Sequence, residues 1–187
     1  MKMNLPNKLT ILRICIVPFF VFFLLAGFVP HRYLFALLLF CAASYTDHLD
    51  GKIARRDNLI TNFGKLMDPL ADKILVMAAL ICLVKLDLAS TVCVILIMLR
   101  EFTVTSIRLL AVEQGRVIAA NNWGKLKTVS QMVAIIVILL LQYVCTFVPA
   151  GLSACTAAGH VLIVIATFFT VVSGVIYIKD NLDVMKG

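Results

Sequence analysis

Long apolar stretches recur along the whole chain, and they constrain its fold more than any other feature. Of the 187 residues, 62% are hydrophobic and only 14% are charged. A soluble domain has roughly 45–50% apolar and about 25% charged residues. About 20 apolar residues are enough to cross a bilayer as a helix, and several of these stretches reach that length. We therefore predict a single all-α, polytopic membrane domain that covers residues 1–187.

The breaks between the apolar stretches predict six transmembrane helices. The predicted spans cover residues 11–29, 33–54, 64–84, 88–112, 125–148 and 157–178. Residues 1–10 are predicted to form a short interfacial helix before the first span. The first span is not interpreted as a removable signal peptide, because no small-residue cleavage pattern follows it.

Basic residues are divided unevenly between the two ends of the predicted bundle. The end with both termini collects Lys2, Lys8, Lys52, Arg55, Arg56, Arg116, Lys125, Lys127, Lys179 and Lys186. The other end collects only Arg32 and Lys85. Because positive loops stay inside, both termini are predicted to face the cytoplasm. The net charge of +7 then reflects orientation and anionic membrane lipids, and no nucleic-acid partner is expected.

The cysteines do not form a recognisable metal or disulfide pattern. They are Cys15, Cys41, Cys82, Cys93, Cys145 and Cys155, and most lie inside apolar stretches. Without a CxxC pair or a Cys/His cluster, neither zinc nor a disulfide framework is predicted. We expect small, membrane-buried thiols.

Two pairs of aspartates flank the loop between predicted spans 2 and 3. Asp47 and Asp50 lie about one turn apart on one helical face, and Asp68 and Asp72 do the same on the next helix. A connection around residues 57–62 makes the helices antiparallel, which brings the four carboxylates together near the cytoplasmic surface. Carboxylates at membrane depth are costly and usually mark a functional cavity.

Four neighbouring carboxylates repel one another unless a cation compensates them or some are protonated. An all-oxygen ligand set suits Mg²⁺ or Mn²⁺ rather than zinc. Two such ions about 3.5–4 Å apart would suit phosphoryl displacement. The alternative is an interfacial charge network, in which the acids pair with Lys52, Arg55, Arg56, Lys65 and Lys73.

Small and basic residues between the aspartates fit a phosphate-bearing ligand. Gly51 has no Cβ and allows close approach of a phosphate or nucleotide to the backbone. Arg55 offers a planar donor fork suited to phosphate. Ala54 is small and leaves space for close helix packing or for a ligand.

Together with Gly64, these residues form the pattern D-x2-D-G-x2-A-R-x8-G-x3-D-x3-D over residues 47–72. The pattern resembles the signature of the CDP-alcohol phosphatidyltransferase family at every fixed position. The resemblance implies a six-helix fold, usually dimeric, with a polar cavity open to the cytoplasm. It also implies metal ligation by all four aspartates, with Asp72 as general base, and contact with the CDP-lipid at Gly51, Arg55 and Thr61.

A second basic cluster follows the predicted fourth span. It comprises Arg108, Arg116, Lys125 and Lys127. We predict that these residues bind the phosphate of a phosphorylated acceptor, because such a substrate needs cations near the metal site. The alternative is an ordinary positive-inside loop. Glu101, seven residues before Arg108, is placed to pair with it, whereas Arg100 lies deeper and is expected to have a structural partner.

Further motifs narrow the acceptor. The stretches NLPNKLTILRI, LREF, NWGKLKT and GKLMDPLADK resemble bacterial family members that join CDP-diacylglycerol to glycerol 3-phosphate. The resemblance implies a homodimer in the bacterial inner membrane that releases CMP. Inositol phosphate, serine or a phosphatidylglycerol headgroup is the alternative acceptor. A cation transporter with intramembrane aspartates is the alternative from another class, although no inverted repeat or broken helix pair is visible.

Overall fold

The fold is described from a computed structural model of the chain. The backbone is described for residues 5–56, 62–116, 118, 122–148 and 151–185. Side chains are described for residues 8–46, 70, 71, 73–116, 118, 122–148 and 151–184. The helices are α1 Leu5–Leu25, α2 Arg32–Arg56, α3 Asn62–Lys85, α4 Thr91–Glu113, α5 Asn122–Cys145, α6 Leu152–Asp180 and α7 Leu182–Met185. The described part of the chain is all-α, as predicted.

Six of these helices are long and correspond in order to the six predicted spans. Within the described residues, three helical segments are long and apolar enough to cross a membrane: Lys8–Leu25, Asn122–Cys145 and Leu152–Asp180. Arg32–Thr46 is a shorter apolar helical segment. Helices α3 and α4 carry charged residues such as Lys73 and Glu101, which lower their mean hydropathy. These three segments make the described bundle a membrane fold by composition, and the full set of six spans stays a prediction.

Residues 5–10 do not form the separate interfacial helix predicted at the N-terminus. They are the first turns of α1, which continues to Leu25. Pro6 does not interrupt the helix, because the N–H that proline lacks has no intrahelical partner in a first turn. Thr10 and Arg13 are fully buried. The face of α1 that carries Thr10 and Arg13 is therefore packed inside the protein.

The helices pack as an up-and-down bundle around an apolar core. Helix α1 contacts α2 and α3, helix α5 contacts α6 and α2, and α4 contacts α6. Phe20 and Phe40 are fully buried where α1 meets α2, with ring centroids 5.9 Å apart. Leu80 and Ile138 extend this core into α3 and α5. Large apolar residues also cover the outside of the bundle, as expected for a surface that faces lipid.

The up-and-down order places alternate connections at opposite ends of the bundle. The α2–α3 and α4–α5 connections lie at the end that also holds the beginning of α1 and the end of α6. At this end, Arg116 pairs with Asp183, and the Gln114 side chain donates to the Val184 carbonyl oxygen. These contacts fix α7 against the end of α4. We call this end the site end.

At the opposite end of the bundle, the structure contains a disulfide that the sequence analysis did not predict. A disulfide joins Cys145 at the end of α5 to Cys155 in the first turns of α6. The spacing of ten residues showed no motif, and only the tight α5–α6 turn brings the two sulfur atoms together. Cys15, Cys41, Cys82 and Cys93 are free thiols, as predicted. A second contact at this end joins His160 Nε2 to the Asp87 carbonyl oxygen at 3.1 Å.

Candidate active site

The four aspartates of the motif occupy the facing ends of α2 and α3. Positions 47 and 50 belong to the last turns of α2, which ends at Arg56. Positions 68 and 72 belong to the first turns of α3, which begins at Asn62. The helix bounds therefore agree with the predicted connection around residues 57–62. Both pairs lie at the site end of the bundle.

Several predicted site residues lie partly or wholly outside the described residues. The side chains of Asp47, Asp50, Gly51, Ala54, Arg55, Asp68 and Asp72 are among them. Thr61 falls in the range 57–61, which is also outside. Among the described residues, no group of three or more His, Cys, Asp or Glu side chains could hold a metal ion. The metal and CDP-lipid assignments therefore stay predictions, and the all-carboxylate donor set is what fits them to Mg²⁺ or Mn²⁺.

A small polar pocket lies beside α3, directly after position 72. Its lining residues come from α3, α4 and α5 and are Lys73, Val76, Met77, Glu101, Lys127, Thr128 and Gln131. The α3 residues follow the helical i, i+3, i+4 spacing, so one face of α3 forms one wall. Two ammonium groups, a carboxylate and an amide therefore line this pocket. We call it the polar pocket.

Glu101 is the centre of the ion pairs in the polar pocket. Its carboxylate oxygen Oε1 accepts hydrogen bonds from Lys127 Nζ on α5 and from Arg100 Nη1, the latter at 3.1 Å. All three side chains are less than 10% exposed. Removal of one partner from such a buried pair leaves an uncompensated charge and typically costs about 3–5 kcal/mol. Glu101 therefore links α4 to α5.

Arg100 is fixed from the opposite side by α6. Its Nη2 donates to Ser173 Oγ at 2.8 Å. The neighbouring Gly174 provides the space for this arrangement, because a Cβ there would lie 2.7 Å from Arg100 Cγ. The structural partner expected for Arg100 is thus observed. The arginine joins α4 to α6 and supports the carboxylate of Glu101.

Two further hydrogen bonds complete the polar layer around the pocket. Lys73 Nζ on α3 donates to Thr105 Oγ1 on α4. Gln131 Nε2 on α5 donates to Thr170 Oγ1 on α6 at 2.9 Å. Both contacts join neighbouring helices through groups that would be costly to bury alone. These two hydrogen bonds therefore join α3 to α4 and α5 to α6 at the level of the pocket.

The structure does not gather the four predicted acceptor-phosphate residues into this pocket. Of the four, only Lys127 lines it, and its side chain is buried. Arg108 and Lys125 are exposed. Arg116 is also exposed and forms an ion pair with Asp183 at 2.7 Å. The assignment of Arg108, Arg116 and Lys125 to an acceptor stays a prediction.

Glu101 pairs differently from the sequence expectation. Seven residues on a helix correspond to about 10 Å along the axis, which is too far for the expected pairing with Arg108. Its observed partners are Arg100 and Lys127. Lys73 and Gln131 were not among the predicted site residues, although polar residues inside apolar helices are a signal for a functional cavity.

Comparison with known proteins decides the family. The sequence model of the CDP-alcohol phosphatidyltransferase family matches residues 3–175. The chain belongs to the CDP-alcohol phosphatidyltransferase family. The match covers all six long helices in whole or in large part, and it contains the complete aspartate motif on α2 and α3. Members of this family are enzymes that generally use divalent metal ions.

Three relatives show how far the similarity extends. A CDP-diacylglycerol–glycerol-3-phosphate 3-phosphatidyltransferase of Bacillus subtilis is 45% identical, over 98% of this chain and 97% of the relative. A protein of the same name from Rickettsia typhi is 38% identical, over 94% and 96%. One from Treponema pallidum is 31% identical, over 98% and 92%. In each case the similarity extends over nearly the whole length of this chain.

Proposed function

We propose that this CDP-alcohol phosphatidyltransferase transfers the phosphatidyl group of CDP-diacylglycerol to sn-glycerol 3-phosphate, which gives phosphatidylglycerophosphate and CMP. The observation that carries the proposal is chain-long similarity to relatives named for this reaction, together with the complete aspartate motif at the facing ends of α2 and α3. A buried lysine at the polar pocket beside position 72 supports a phosphorylated acceptor.

The donor half of the site consists of the end of α2 and the beginning of α3. Asp47, Asp50, Asp68 and Asp72 would hold one or, as we propose, two Mg²⁺ or Mn²⁺ ions. Bound ions would polarise the diphosphate and stabilise the charge that develops on the leaving CMP. Gly51, Ala54, Arg55 and Thr61 are assigned to the CDP-lipid. The diacyl tails would remain in the bilayer while the CDP group lies at the cytoplasmic end.

The acceptor half lies towards α4 and α5. We assign Lys127 and, with it, Arg108, Arg116 and Lys125 to the acceptor phosphate. Asp72 takes the proton of the acceptor hydroxyl as general base. The hydroxyl oxygen then forms a bond to the β-phosphorus of CDP-diacylglycerol, and the bond from that phosphorus to the CMP oxygen breaks.

The same proposal places the protein in a bacterial inner membrane with six spans. Both termini and the site end face the cytoplasm. The water-soluble acceptor, glycerol 3-phosphate, and the water-soluble product, CMP, can enter and leave the site from that side. The basic residues of the site-end loops support this orientation. We further propose a homodimer, as the family resemblance implies.

An acceptor panel tests the proposed substrate. The purified protein is incubated with labelled CDP-diacylglycerol and Mg²⁺, and with glycerol 3-phosphate, inositol phosphate, serine or phosphatidylglycerol in separate reactions. We expect lipid product with glycerol 3-phosphate alone, because its phosphate matches the basic acceptor half. Product formed preferentially with another acceptor would show that the family assignment holds and the acceptor assignment does not.

A further inference from the structure

The Glu101 carboxylate lines the polar pocket beside Lys127 and accepts a hydrogen bond from its ammonium group. We propose that Glu101 is a positioning residue for the acceptor: it holds the Lys127 ammonium at the pocket wall where the acceptor phosphate binds. The inference rests on the proposed function, since it takes glycerol 3-phosphate as the acceptor. Glu101 acts through Lys127 and does not itself touch the substrate, because its charge would repel a phosphate.

A lysine side chain is mobile unless a partner holds its ammonium group. A lysine side chain has four rotatable bonds, and fixing it in one rotamer costs up to about 2 kcal/mol in conformational entropy. In this structure the Lys127 side chain is only 9% exposed and ends on Glu101. The ion pair therefore fixes the ammonium before any substrate arrives. An ammonium has three N–H donors, so contact with Glu101 is compatible with contact to a phosphate oxygen.

Glu101 is itself held in place by buried neighbours. Arg100 donates to the same carboxylate oxygen and is held by Ser173 on α6. Gly174 leaves the space in which the arginine side chain lies. The chain of contacts from α6 through α4 to α5 is therefore continuous, and each member is buried. Such a rigid support is what a substrate-orienting cation needs, since small displacements of bound groups are costly to catalysis.

The polar pocket and position 72 are adjacent along α3. The pocket wall on α3 begins at Lys73, the residue after the proposed general base at position 72. Glycerol 3-phosphate carries its reacting hydroxyl and its phosphate at opposite ends of a three-carbon chain. The cation that binds the phosphate must therefore be separated from the general base by about the length of this three-carbon chain. Lys127 lines the same pocket from α5, which makes it the cation that we assign to this phosphate.

The test is a double-mutant cycle on Glu101 and Lys127 in the full-length protein, with both substrates varied in turn. Glu101→Gln keeps the side-chain shape and one acceptor oxygen but removes the charge. We expect the KM for glycerol 3-phosphate to rise about tenfold or more, with kcat and the KM for CDP-diacylglycerol changed less than about twofold. In a Lys127→Met background, Glu101→Gln should cause no further rise, because its effect passes through the lysine.

Glu113→Gln is the matched control, since Glu113 is an exposed glutamate at the end of the same helix. It should behave as the wild type. If Glu101→Gln alone does not fold, the double variant replaces it, because it removes both charges of the buried pair. Its KM for glycerol 3-phosphate should then equal that of Lys127→Met.

Three results would overturn the proposal. They are an unchanged KM for glycerol 3-phosphate in folded Glu101→Gln, equal losses for both substrates, and effects of the two substitutions that simply add. Wild-type protein without transfer to glycerol 3-phosphate would instead refute the proposed function. In that case the same cycle is run with the acceptor that the wild type does use, and it still tests whether Glu101 acts through Lys127.

Discussion

At the scale of single residues, burial separates side chains that look alike in the sequence. Lys127 and Arg116 are both cations near the α4–α5 connection. Lys127 is buried against Glu101, whereas Arg116 and Asp183 form a pair whose side chains are 58% and 67% exposed. An exposed pair is worth only about 0–1 kcal/mol. Lys127 is therefore the stronger candidate for a defined task at the site.

The sequence could predict the aspartates but not the partner of Glu101. The aspartates follow a long motif whose spacing is readable along one helix face. The Glu101–Lys127 pair joins residues 26 positions apart on two helices, and no local period encodes such a contact. Only the packing of α4 against its neighbours shows which cation meets this carboxylate.

The role of Asp72 as general base gives the first prediction. Asp72→Asn keeps the side-chain size and one oxygen ligand but cannot accept a proton. We expect kcat to fall by about 10²–10⁴-fold, the usual contribution of general-base catalysis, while CDP-lipid binding weakens much less. Steady-state kinetics and a direct binding measurement check this. Turnover at the wild-type rate would leave Asp72 without a catalytic role.

The two halves of the site give the second prediction. Arg55→Ala should raise the KM for CDP-diacylglycerol, whereas Lys127→Ala should raise the KM for glycerol 3-phosphate. Loss of one charged hydrogen bond is worth about 1.5–3 kcal/mol, which is roughly 10- to 150-fold in kcat/KM. Kinetics with each substrate varied in turn distinguish the two. The assignment of the two halves is wrong if Arg55→Ala mainly impairs use of glycerol 3-phosphate and Lys127→Ala that of CDP-diacylglycerol. It is also wrong if each variant impairs the use of both substrates equally.

At the scale of elements, apolar length and the breaks between apolar stretches predicted the six long helices in the right order. Their ends differ by several residues in both directions, and α1 ends at Leu25 rather than at residue 29. Helix α6, for example, ends at Asp180 rather than at residue 178. The continuous α1, the short α7 and the Cys145–Cys155 disulfide were not predicted. Each depends on a tertiary contact or on the tolerance of a helix for a first-turn proline.

Close packing of α6 against the α3–α4 connection gives the third prediction. A Cβ at Gly159 would lie 3.1 Å from the Leu88 carbonyl oxygen, whereas nothing lies within 4 Å of a Cβ at Gly124. Gly159→Leu should therefore destabilise the bundle by about 1–3 kcal/mol, the usual range for overpacking. Thermal unfolding in detergent should show a lower Tm for this variant, with Gly124→Leu as the matched control. Equal Tm values in the two variants would contradict the packing described here.

At the scale of the whole molecule, the orientation of the bundle gives the fourth prediction. Thr91 and Asn122 are the first residues of α4 and α5, at opposite ends, and both are exposed. In a variant without the native cysteines, Thr91→Cys should react with a membrane-impermeant maleimide in intact cells. Asn122→Cys should react only after lysis, because the site end faces the cytoplasm. The reverse labelling pattern would invert the topology.

The central claim is that the whole bundle is a metal-dependent enzyme that uses glycerol 3-phosphate, and CMP release tests it most directly. Purified protein is given CDP-diacylglycerol, with and without glycerol 3-phosphate, in Mg²⁺ or in EDTA. We predict CMP release only when both glycerol 3-phosphate and Mg²⁺ are present, lost in EDTA and restored when Mg²⁺ is returned in excess. Full CMP release in EDTA, or no release from folded protein with both present, would contradict the account.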